Sequence, residues 1–300
     1  MTGRRALLLL ALALPGCIKS MAVNAIGDGL AKGGGAYARD DDPELVRDAT
    51  AFGLKTIETL LDAEPEHVGL HLAAARGFTQ YAFAFLQAEA DYLEGTDYTQ
   101  AAHLRHRAKR MYVRARRYGL AGLSLLLGGD FEARLRADAG KVLGELDEEA
   151  VGLLYWTGAA WAAAVGLDKD DAELAAGLDL VEAMIKRAVA LEPGYEAGGL
   201  HDFLLVWDAG RPKAAGGSIE RAREHLAASL AASGGKRVAP LVSFAEQGAV
   251  KLKDPKEFDA LLQRALAFDV DSAPPFRMAN LVAQKRARWL LSIKDDLFLE

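Results

Sequence analysis

Patterns that carry chemistry are scarce in this sequence. It has one cysteine, Cys17, so no internal disulfide can form and no CxxC site exists. It contains no HExxH, no phosphate-cradling glycine loop and no GxSxG elbow. Two histidine pairs sit four and three residues apart, His67 with His71 and His103 with His106, but neither has an obvious third ligand. No metal, no cofactor and no enzymatic activity are therefore expected. The formal charge is −6, and −8 without Arg4 and Arg5; an acidic chain of this kind is a poor nucleic-acid binder. Beyond the extreme N-terminus, no apolar run is read as long enough to cross a bilayer.

What is present begins with an address. Arg4 and Arg5 precede the apolar run 6–14, the n-region and h-region of a secretory signal, and the run is too short to span a membrane. It ends in Leu14-Pro15-Gly16-Cys17, which resembles the lipobox of bacterial lipoproteins, although Pro15 is unusual there. Lipid on Cys17 would tether an otherwise soluble body outside the cytoplasm, and Ile18, in place of an aspartate, favours the outer membrane. The expected division is a signal peptide over 1–16, a tether and short first helix over 17–40, and one helical-repeat domain over 41–300.

The body is organised around residues 151–165, VGLLYWTGAAWAAAV, a helix apolar on nearly all sides with carboxylates at its start. Tyr155, Trp156 and Trp161 either fill the core there or line a cleft between the two helical halves. Before it, Asp42-Pro43-Glu44 opens a helix that Glu64-Pro65 stops, and a second runs from about 66 to 89 with Phe78, Tyr81 and Phe85 on one face. A basic helix spans 98–118, after which Gly119, Gly122, Gly128 and Gly129 are expected to loosen the chain. Its arginines are either a solvated face paired with acidic segments or a contact for an anion. After the rod come helices over 170–191, 219–233, 240–250, 255–268 and 277–294, the last read as a closing cap. The glycine-rich stretch 194–199 precedes His201 and Asp202; adjacent residues on a helix point in different directions, which disfavours a catalytic pair.

Helix-closing phrases recur at residues 60–65, 188–193, 229–232 and 265–268, at spacings close to the roughly 34 residues of tetratricopeptide units. The expected fold is all-α, a tetratricopeptide-like solenoid of helical hairpins with degenerate repeats, whose concave face holds something.

Motifs spread in order along the mature chain also resemble a family. They are the lipobox, DDPELVRDA at 41–49, GFTQYA at 77–82, Arg107-Ala108 with Arg114-Ala115-Arg116 and Tyr118-Gly119, LYWTGAAW at 154–161, Gly199-Leu200-His201, Gly216-Gly217-Ser218, Ala279-Asn280-Leu281, and RARWLL at 286–291. Together they look like the T component of tetratricopeptide-associated TRAP transporters. The resemblance implies a periplasmic lipoprotein that partners the solute-binding component of a TRAP system, a homo-oligomer such as a trimer, and a cleft for a small apolar or organic-acid ligand. On that basis the cleft would involve Tyr155, Trp156, Trp161 and His201, with Tyr81 and Arg116 nearby. The rival reading is a scaffold lipoprotein for cell-envelope assembly that binds no small molecule.

Overall fold

The computed structural model describes residues 35–298. The expected signal peptide, Cys17 and the short helix near residues 20–30 lie outside them. Every regular element among the described residues is helical. The chain runs through α1 (Gly35–Arg39), α2 (Pro43–Ala63) and α3 (Val68–Tyr81), which passes a π-helical turn, Ala82–Gln87, into Ala88–Leu93. Next come α4 (Tyr98–Leu127), α5 (Phe131–Ala137), α6 (Ala139–Gly144), the central α7 (Val151–Leu167), α8 (Ala172–Ala175) and α9 (Leu178–Leu191). The C-terminal part holds α10 (Gly199–Gly210), α11 (Ile219–Ala232), α12 (Ala239–Phe244, followed by a π turn, Ala245–Ala249), α13 (Pro255–Leu266), α14 (Arg277–Ser292) and α15 (Lys294–Leu297).

Helix starts follow the punctuation in the sequence. The Asp42 carboxylate accepts from the Glu44 and Leu45 amides at 2.9 and 3.0 Å, satisfying donors that have no partner within the helix, and Pro43 takes the first helical position. Asp97, Asp130, Asp171, Ser218 and Asp254 cap their helices in the same way.

By length and composition, residues 148–167 could cross a membrane, contrary to the expectation that no such run exists. Packing explains them otherwise: eleven of the 17 residues of α7 are buried, distributed around its whole circumference. The helix lies against α4, α9 and α3, so its apolar surface is taken up by protein. Two expected helix boundaries give way to packing, one an expected break that is absent and one an unexpected break in the helix read over 170–191. Helix α4 does not loosen after Tyr118 but runs unbroken to Leu127, because Gly119 and Gly122 are contact points. A methyl at 119 would meet Thr157 Oγ1 at 1.9 Å, and one at 122 would meet a Leu153 methyl at 2.7 Å. Gly128 and Gly129, at φ 71° and 84°, supply the actual stop. Conversely, residues 170–191 are split at Gly177, where a Cβ would lie 1.9 Å from the Trp161 ring. The bulky indole needs the bare backbone, so α8 and α9 separate there.

Helix α14, expected as the closing cap, does more than cap. Arg286 pairs with Asp91 at the end of α3 (2.9 Å) and with Glu246 in the second π turn, while Trp289 lies 5.4 Å from Tyr92. Arg277 donates to the Arg39 carbonyl at 3.0 Å. Buried Asn280 and Gln284 tie the same helix to the Lys236 and Val238 backbone and to the end of α13. Helix α14 thus joins the first helices of the chain.

Candidate functional site

The residues singled out in the sequence fall into separate neighbourhoods around α7 and α10. Trp161 is fully buried, and its indole N–H donates to the Leu174 carbonyl at 2.8 Å. The Arg116 guanidinium lies 3.9 Å from the ring centroid and that of Arg136 at 5.6 Å. Both arginines pair with Glu132, at 2.6 and 2.7 Å. Burial pulls Arg116 below its usual pKa, against the opposing pull of Glu132. Trp161 and Arg116 therefore meet, as a cation on an aromatic face. This neighbourhood joins α4, α5 and α7.

Nearer the start of α7, at residues 155 and 156, a second cluster forms. The Tyr155 ring stands edge-on to Trp156 (4.7 Å) and to Tyr195 (5.7 Å). Close approach depends on glycine: the Tyr195 hydroxyl would be 2.9 Å from a Cβ at 152, and the Tyr155 hydroxyl 3.3 Å from one at 199. Burial raises the Tyr155 hydroxyl above the ordinary tyrosine range, and burial followed by the Glu196 charge pushes Tyr195 up to about 12. Both stay protonated donors at neutral pH. The buried Trp156 N–H has no hydrogen-bond partner among the described residues. Arg76 sits beside Glu196 at 3.5 Å. Three hydroxyl or N–H donors on aromatic walls, with a guanidinium alongside, suit a ligand that has an apolar body and a polar end.

The turn carrying Tyr195 is held in a costly shape. Glu196 (φ 51°), Ala197 (φ 50°) and Gly198 (φ 96°) are successively left-handed, and only the glycine adopts that freely. Arg237 compensates by donating to the Ala197 carbonyl at 3.1 Å and pairing with Asp202, which also accepts from the Ser229 hydroxyl. A methyl at 198 would meet the Ser229 Cα at 2.9 Å. Burial pushes the Asp202 carboxyl up, while Arg237 and Ser229 pull it back.

His201 meets neither the aromatic cluster nor Asp202. Its Nδ1 lies 3.1 Å from the Nδ1 of His225 on α11, with the rings stacked at 5.3 Å. His225 approaches Asp208 at 3.7 Å, and Asp208 is held by Arg221 at 2.6 Å. Burial depresses the pKa of both histidines. Tyr81, half-buried on α3, lies 5.9 Å from Phe85. His71 is fixed to the Pro65 carbonyl at 2.8 Å and His67 caps α3 through its ring nitrogen. No group of three or more metal-ligating side chains occurs among the described residues.

Thus Arg116 pairs with Trp161 and Tyr155 with Trp156, while His201 and Tyr81 stand apart. Sequence reasoning did not include Tyr195, Arg76 or His225. The first had a signal in the glycines that flank it; the others are brought in only by packing.

The profile of the TRAP transporter T-component family matches residues 39–298. An uncharacterized protein of Treponema pallidum (strain Nichols) is 32% identical over 275 residues, covering 88% of this chain and 83% of the relative. The matched region runs from the end of α1 through α15, and the chain is a member of the TRAP transporter T-component family.

Proposed function

We propose that this protein is the membrane-anchored accessory component of a TRAP-type uptake system on the periplasmic face of a bacterial membrane, held by lipid on Cys17, with the outer membrane favoured. It docks the system's solute-binding protein on a tetratricopeptide-like surface. It works as a homo-oligomer and receives a small apolar or organic-acid ligand in the cleft walled by Tyr155 and Trp156. The family match over 39–298 carries the reading, and the packing of successive antiparallel helices, α2 on α3 and α10 on α11, supports it. The donor-lined aromatic cluster of Tyr155, Trp156 and Tyr195 is the feature that supports this location for the ligand. Trp161 and Arg116 then act as the joint that holds α7 against α4, and His201 shapes the neighbouring hairpin.

The test is to capture the mature chain, starting at residue 18 without lipid, with periplasmic extract from the same cell, followed by mass spectrometry of proteins and extracted small molecules. Recovery of a TRAP-type solute-binding protein with a co-purifying small molecule is the expected result. Recovery of envelope-assembly proteins alone would replace this reading with the scaffold.

A further inference from the structure

Helix α4 is electrically unlike the rest of the chain. Across its 30 residues it has no aspartate or glutamate and carries Arg105, Arg107, Lys109, Arg110, Arg114, Arg116 and Arg117, within a protein whose net charge is −6. The structure divides these cations into two sets. Arg105 is met by Asp91 and Glu94, Lys109 by Asp168 and Asp171, and Arg116 by Glu132. Those pairs fasten α4 to its neighbours. Arg107, Arg110 and Arg117 are exposed and make no ion pair with any described residue. Arg114 reaches Glu58 at 3.4 Å, but that carboxylate is already shared with Lys55 and the Tyr118 hydroxyl.

Positions 107, 110, 114 and 117 recur at helical spacing, so the four guanidinia form a single ridge spanning roughly 15 Å. An open groove runs along it, lined by His106, Lys109, Arg110, Val113, Arg114 and Arg117. A row in which three exposed guanidinia face no carboxylate of any described residue, and the fourth only shares Glu58, is complementary to carboxylates on another chain. The chemistry favours a protein face over a bilayer. Val113 is the one apolar side chain lining the groove, whereas helices that lie in a membrane interface insert several bulky apolar residues. Guanidinium forks on a stiff helix also match the paired oxygens of carboxylates at fixed spacing.

We infer that the Arg107–Arg110–Arg114–Arg117 ridge of α4 is the surface on which a carboxylate-rich face of the solute-binding protein docks; this rests on the uptake role proposed above.

The experiment measures binding of the purified solute-binding protein from the same cell to the full chain and to two variants, R107E/R110E/R117E and R107Q/R110Q/R117Q, at about 50 and about 500 mM salt. Arg114 is left alone because it touches Glu58. Melting temperatures of both variants should stay near that of the unmodified chain, since the altered side chains are exposed. The expected result is binding that weakens steeply with salt, falls about tenfold or more on charge reversal and falls less on neutralisation. Binding that survives charge reversal unchanged would overturn the ridge while leaving the uptake role intact. No binding by the unmodified chain would overturn both. If the variants instead lose adsorption to phosphatidylglycerol vesicles, or change mass in ultracentrifugation, while still binding the solute-binding protein normally, the ridge faces lipid or a second copy and the inference is wrong.

Discussion

Replacing Gly119 with alanine tests whether α4 and α7 really touch backbone to backbone. The added methyl would lie 1.9 Å from Thr157 Oγ1, 3.0 Å from its Cβ and 3.3 Å from its Cα. Ordinary carbon contacts are about 3.5–4.0 Å, so rotating the hydroxyl away does not suffice and the helices must part. Such overpacking costs about 1–3 kcal/mol, which exceeds the roughly 0.5–1 kcal/mol that alanine returns in a helix interior. The net loss should lower the melting temperature by several degrees, at about 2–4 °C per kcal/mol for a body of this size. Gly166, in α7 with no atom within 4 Å of an added Cβ, is the control, and G166A should melt slightly higher than the unmodified protein. Thr157 Oγ1 is buried and unpartnered, so T157A alone should change stability by no more than about 1 kcal/mol. In the double variant the methyl has more room, and more than half of the G119A loss should return. Thermal melts followed by circular dichroism give all four values. Additive effects of G119A and T157A, or G119A melting at or above the unmodified protein, would refute the close contact.

Three further outcomes follow from the ion and hydrogen-bond geometry. For Glu182, burial alone would raise the carboxyl pKa, but bonds from Lys186 and Trp207 and the charge of Arg211 overcome it and hold the pKa at about 2, against an ordinary 4.5. Its stabilisation is therefore complete above 4.5 and lost as pH falls toward 2; E182Q should cost about 1–2 kcal/mol at neutral pH, after allowance for partial exposure, and its melting temperature should fall less on acidification. Because burial, joined for His225 by its histidine neighbour, depresses both members of the His201–His225 pair, folding holds them neutral: stability is full above pH 6.5 and declines as pH falls below it, and H201Q/H225Q should flatten that decline in melts from pH 8 to pH 5. R286A removes the cation shared by Asp91 and Glu246, leaving Asp91 only its longer pair with Arg105 (3.4 Å); it should lower stability by about 1–3 kcal/mol, partly recovered in D91N/R286A, as read by urea unfolding.

Local physics was legible wherever it was local. Aspartate and proline marks placed the starts of α2 and α13, and an uncharged run of small and aromatic residues announced α7 as an enclosed rod. The ambiguity was in the glycines. Gly119 read as punctuation and Gly177 as an ordinary position inside one helix over 170–191, yet the first lies inside an unbroken helix and the second separates two. The difference is which side chain faces each glycine, Thr157 or the Trp161 ring, and that is a property of packing. The same holds for the candidate site. Aromatic residues at 155, 156 and 161 look like one group, but steps of 100° per residue aim Trp161 toward α5 and α8, and Tyr155 toward the turn at 195. Tyr195 and Arg76 join that cluster from chain segments more than a hundred residues apart.

By itself, the order of residues determined an all-helical chain, its caps, its central rod and, through motifs spread along its length, its family, because capping, periodicity and motif order depend on neighbours in sequence. Only the tertiary structure decided which arginines of α4 are spent on internal pairs and which face outward, and that α14 reaches back to Asp91 and Arg39. Those outcomes depend on charges and surfaces far apart in the chain, and their partners exist only once the helices have packed.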